Sequence, residues 1–147
     1  MSREAVKLIL AGQAKDDAWY QALFAESLMC LVQDKDPKTC TEQLRPLIEE
    51  GPDSLRAHGR LLMAHAYRAM GRRRLALFNY QAVARRELVD EATILALAAL
   101  TEIGDDSSKN LAKSRIDLLR QQDPPIPHLD LLEGGASLLT VQELLGE

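Results

Sequence analysis

Aromatic residues are scarce in this sequence, 4% of the chain, and nowhere do apolar and polar residues alternate for long enough to make a strand. Leucine and alanine fill the apolar quota instead, so the economical fold class is all-α. Long apolar runs are missing as well: the opening MSREAVKLILAGQAKDD offers only VKLILAG before charge intervenes, too little for a membrane span or an export signal. A cytoplasmic location without membrane contact is therefore expected. Cysteine occurs only twice, at Cys30 and Cys40, near the facing ends of an expected helical pair; without export both should be free, buried thiols. No Ser, His and Asp constellation, glycine-rich phosphate loop or paired-cysteine metal spacing is legible, so the expectation is a protein that is not an enzyme and holds no cofactor.

What is present is helical periodicity. In the stretch Ala57 to Leu88, Leu61, Leu62, Ala64, His65, Tyr67 and Arg68 recur at steps of three and four until Gly71 interrupts them. Leu75, Ala76, Phe78, Tyr80, Val83 and Ala84 then resume the pattern, which makes two helices, roughly 55 to 70 and 73 to 87, joined by a tight turn. Before them Ser2 suits the N-cap of a short leading helix and Asp16 or Asp17 that of a long one ending near Gln33. A further helix runs through Leu44, Leu47 and Ile48, with Pro46 inside it predicting a kink or a late start. After Asp90 the run EATILALAALTEIG is apolar on nearly every side and should be the most buried helix. In the next, Leu111, Ala112, Ile116 and Leu119 are expected to face inward. DPPIPH is then a proline-stiffened linker to a short helical tail, so the expected organisation is a helical domain over 1–124 and a linker and tail over 125–147.

The second helices of the three pairs superpose at an offset of thirty-six residues: Cys40, Ala76 and Ala112; Leu44, Tyr80 and Ile116; Leu47, Val83 and Leu119; and, just past each helix end, Pro52, Leu88 and Pro124. The small residue in the first series lets paired helices approach closely. Leu62 or Met63, Ala64, Tyr67, Gly71, Ala76, Tyr80 and Val83 follow in order the pattern of small and apolar positions that this stretch shares with tetratricopeptide repeats, which it resembles. The resemblance implies a superhelix of about three helical hairpins whose first helices line a concave groove for a partner peptide or helix, the role of a small adaptor or chaperone within a larger complex. Carried onto this chain, the groove comprises Ala25, Met29, His58, Leu61, His65, Arg68, Ala69, Ile94 and Ala98. Family members that grip a C-terminal carboxylate use Lys and Asn where this chain has Leu61 and His65, which argues against that clamp.

Charge suggests a second surface. Residues 56 to 87 hold eight arginines against one acid, a balance of +7 within a chain of net charge -4, so the remainder carries -11. The run Arg72, Arg73 and Arg74 is the secondary candidate, for nucleic acid or an acidic peptide, although stacking aromatics are not interleaved with it. His58 and His65 lie two turns apart on one helix face without a third ligand at helical spacing, so no metal is expected. In the tail, EGGASLLTVQELLG resembles a segment near the end of tyrosine recombinases, but no His-x-x-Arg accompanies it and no tyrosine follows. That tail is free to cap the stack, to fold into the groove or to join a second subunit.

Overall fold

The computed structural model describes residues 2–12 and 14–122. Among these residues every regular element is an α-helix: α1 (Arg3–Leu10), α2 (Asp17–Val32), α3 (Pro37–Glu50), α4 (Asp53–Ala69), α5 (Arg73–Ala84), α6 (Glu91–Ile103) and α7 (Asp106–Arg120). The chain gathers into two compact units, residues 1–76 and 77–147, the division falling within α5. The expected tail, 125–147, lies outside the described residues.

Local chemistry sets the helix ends. Ser2, Asp16, Asp36, Asp90 and Asp105 each accept a hydrogen bond from the backbone N–H three residues on, capping α1, α2, α3, α6 and α7. Gly71 closes α4 with φ of 73°, the left-handed region that glycine enters without a Cβ penalty. Its N–H donates to the Arg68 carbonyl and the Arg72 N–H to the Tyr67 carbonyl, the paired bonds of a Schellman motif. Helix α5 stops at Ala84 rather than Glu87. Nor does α3 start late: Pro37 occupies its first turn and Asp36 caps it, and the helix continues through Pro46 to Glu50. Cys40, Leu44 and Leu47 are all buried on α3, and their packing holds the helix together across the hydrogen bond that Pro46 cannot make.

In the first unit α2 packs against α1 and α3, and to a lesser extent α4, while α3 and α4 form the most extensive pair. Leu28, Leu44, Leu47, Leu61 and Leu62 are each no more than 1% exposed, and complete burial of one such side chain contributes about 1.5–3 kcal/mol. Gly59 admits the α3 side: a Cβ there would stand 3.0 Å from Leu47 Cδ2.

Helix α1 is fastened by charge as well as by Val6. Arg3 Nη2 donates to Glu26 Oε1 at 2.8 Å and Arg3 Nη1 to Asp34 Oδ1 at 2.8 Å, so one guanidinium spans two carboxylates. The Glu26 side chain is only 10% exposed, and removing its cation would strand a largely desolvated charge. In Arg3→Met, amide exchange in α1 should therefore quicken by roughly tenfold or more. Adding Glu26→Leu should restore most of the protection, and unaltered exchange in the single variant would show that the ion pairs do not hold the helix.

The second unit is built on α6, in which Ala92 to Leu100 are all buried. Helix α7 packs against it. Their tight connection depends on Gly104, where a Cβ would collide with the Leu100 carbonyl oxygen and lie 3.0 Å from Ser108 Cβ. Ala112, Ile116 and Leu119 point inward as expected, but Leu111 does not: it is 66% exposed. Cys40, Ala76 and Ala112, with Leu44, Tyr80, Ile116, Leu47, Val83 and Leu119, are without exception buried.

Candidate functional site

The residues expected to line a groove have different surroundings. On α2, Met29 is buried with Ala22 and Val6, and Ala25 packs beside them, so α1 lies over the face that an open groove would need. On α4, Leu61 and His65 are 1% and 3% exposed, which puts them in the interior. Burial pushes the His65 imidazole down to about 3, with Arg68 a lesser contributor, so the ring is neutral at physiological pH. Ile94 and Ala98 on α6 are buried too. Of the residues on α4 expected to line a groove, His58 and Arg68 are half-buried and Ala69 is exposed. His58 Nδ1 stands 3.2 Å from the Ser54 carbonyl oxygen.

Arg72, Arg73 and Arg74 are all exposed where α4 turns into α5. Cys30 and Cys40 are buried free thiols. Burial pushes the Cys40 thiol up to about 12, far from a reactive thiolate. Among the described residues no group of three or more His, Cys, Asp or Glu is placed to hold a metal ion, and no helix is long and apolar enough to cross a membrane.

A cavity of about 380 Å³ opens in the second unit, between α5, α6 and α7. Leu97 and Leu100 contribute from α6, Leu111 and Leu118 from α7, with Arg85 beyond the end of α5 and Arg115 on α7. Its wall is braced by Gln81 Nε2 donating to Ser108 Oγ at 2.8 Å. Arg115 Nη2 donates to the Arg86 carbonyl at 2.6 Å, holding that side chain across to the segment after α5. Arg86 in turn pairs with Asp90 at 3.1 Å. Burial acts to raise the Asp90 carboxyl, but the Thr93 N–H and the Arg86 guanidinium outweigh it and hold the group below the usual carboxylate range.

Leu111 and Leu118 are 66% and 64% exposed, so the cavity has an apolar rim as well as an apolar floor. They are seven residues apart, two turns of one helix and about 10 Å along its axis. Leu111, expected to face inward, stands on this rim instead. The available signal was that α7 carries two apolar stripes: Ala112, Ile116 and Leu119 form one, while Leu111 and Leu118 form another displaced by one position. No protein-family model, curated protein or solved structure matches the chain.

Proposed function

We propose that the protein is a cytoplasmic protein-interaction module, an adaptor or chaperone of divergent tetratricopeptide-like architecture, that docks an apolar segment of a partner as part of a larger complex. The observation that carries this reading is the open apolar cavity in the second unit, with two mostly exposed leucines on its rim. Concave apolar surface bordered by a few cations suits a helix or extended peptide that is apolar on one side and acidic on the other. Burial of the nine positions in the three series that lie within helices supports the repeat architecture, while Leu88 of the series past the helix ends is exposed. Two free, buried thiols suit a reducing compartment. The aliphatic share of the cavity supports binding of an apolar segment: Ala84, Leu97, Leu100, Leu111, Ala112 and Leu118 are six of its eleven lining residues.

The test compares three full chains in the cells that make the protein: the unaltered one, Leu111→Glu with Leu118→Glu, and Lys113→Glu as an exposed control on the same helix. A partner docked in the cavity is retained by the first and third and lost from the second by about tenfold or more, which corresponds to 1.4 kcal/mol. Equal capture by all three overturns the reading.

The exposure of Arg72, Arg73 and Arg74 favours nucleic acid as the second reading. Phosphate contacts there would make retention of DNA or RNA fall steeply with salt, and absence of any salt-dependent retardation would dismiss it.

A further inference from the structure

We infer that the second-unit cavity is a binding site for a small anionic amphiphile, a free medium-chain carboxylic acid, whose alkyl chain lies along the leucines and whose carboxylate is held by Arg85 and Arg115. The site shares its walls with the docking surface but needs no partner: the ligand lies on the floor, over buried Leu97 and Leu100, and leaves the exposed rim of Leu111 and Leu118 to the partner.

Both arginines belong to one end of the cavity. Gln81 donates to Ser108, and farther along the same two walls Arg115 donates to the Arg86 carbonyl. Helices α5 and α7 therefore run in the same direction and are bridged at two points, which seven residues of α7 set about 10 Å apart. Arg85 immediately precedes the residue that Arg115 reaches, so the two cationic residues stand together at the second bridge, while the first is neutral. Between the bridges Ala84, Leu111 and Ala112 line the walls. A chain that is apolar along its length and negative at one end matches this layout in both respects.

The guanidinium groups also have donors to give. Exposed Arg85 makes no side-chain hydrogen bond or ion pair among the described residues. Arg115 donates through Nη2 alone, which leaves its Nε and Nη1 N–H groups for a carboxylate. None of the eleven lining residues is acidic. The carbonyl end of α5 lies at the same place, but its roughly half unit of negative charge is outweighed by two full positive ones.

Size and symmetry argue against other occupants. The volume of about 380 Å³ falls within the range of small-ligand pockets, about 300–1,000 Å³. A cationic ligand would meet two like charges, and a neutral one would leave the free donors unused. In an antiparallel twofold contact between copies of α7, Leu111 of one chain would face Leu118 of the other, which sets Arg115, near the midpoint, against its own counterpart. Like charges so placed oppose association through this face.

The test titrates the purified full chain, with isotope-labelled leucine methyl groups, against decanoate below its micellar concentration, and separately against decyltrimethylammonium and decanol. Decanoate should bind saturably and shift the methyl signals of Leu97, Leu100 and Leu111, while those of Leu28, Leu44 and Leu62 in the core of the first unit stay in place. Its affinity should exceed that of decyltrimethylammonium by about tenfold or more, although the net charge of -4 favours the cation at any non-specific site. Arg85→Gln, which breaks no contact among the described residues, should weaken decanoate by about fivefold or more and leave decanol unchanged. Adding Arg115→Gln should abolish the preference for the anion. Lys113→Gln, about 200° round α7 from Leu111, should alter neither affinity. No saturable decanoate binding, equal affinity for the three amphiphiles, indifference to Arg85→Gln, or methyl shifts outside the second unit would each overturn the inference. Absence of decanoate binding, with partner capture still lost in Leu111→Glu plus Leu118→Glu, removes the ligand and leaves the docking function standing. Decanoate binding with capture indifferent to those leucines does the reverse.

Discussion

Between pH 6.5 and pH 4.5 the folded protein should lose about 2–3 kcal/mol of stability through His65 alone. The imidazole is 3% exposed and burial holds it down to about 3, so it remains neutral when folded throughout this interval. In the unfolded chain the same ring protonates near pH 6.5. The unfolded state thus binds more protons below pH 6.5, and stability falls as the pH falls, until the folded state also takes up its proton near pH 3.

This window is separable from that of the carboxylates. Asp34, held below its usual range by the hydrogen bond from Arg3, and Asp36, held there by Thr39, supply stability that is present above about pH 4 and lost only as the pH falls further. Asp90 belongs to the same lower window. Denaturant unfolding at half-unit steps from pH 7 to pH 4.5 is the measurement. His65→Gln should flatten the dependence across that interval, whereas His58 and His128 are common to both proteins and cancel in the comparison. An equal slope in His65→Gln would show that the buried ring does not resist protonation.

The parts of the fold that were legible are those governed by neighbours in sequence. Capping by Ser2, Asp16 and Asp90 and the reversal at Gly71 need only a few adjacent residues, and each occurs where the pattern puts it. The buried character of α6 was equally plain, because its apolar residues leave no polar face to expose. The late start that Pro46 suggested for α3 does not occur, because Asp36 and Pro37 open the helix nine or more residues earlier and it continues through Pro46 to Glu50.

Faces were harder than elements. Whether Met29 lines a groove or fills an interior depends on where α1 lies, and no periodicity within α2 contains that information. Leu111 shows the reverse: a leucine next to buried Ala112 was assigned to the core, although one helical position turns a side chain by about 100° and brings it to the cavity rim. The cavity combines residues from three helices of the second unit, so its existence followed from tertiary packing alone.

Leu61→Arg should be the most damaging single change among the positions first expected to line a groove. Leu61 is 1% exposed, so the variant both forfeits the burial of a leucine and moves a guanidinium into surroundings that offer it little water. Together these cost about 4 kcal/mol or more, which for a chain of this size lowers the melting temperature by on the order of 10 °C. Ala69→Arg, eight residues later on the same helix, is the decisive comparison. Ala69 is exposed in the last turn of α4, where a cation also complements the helix dipole, and its substitution should alter stability by no more than about 0.5 kcal/mol. A groove open at Leu61 would tolerate both arginines equally and show their difference only in partner binding; an interior position separates them in thermal unfolding of the isolated protein. Loss of binding in Leu61→Arg would then report unfolding, and the solvent-facing part of α4 has to be tested at His58, Arg68 and Ala69 instead.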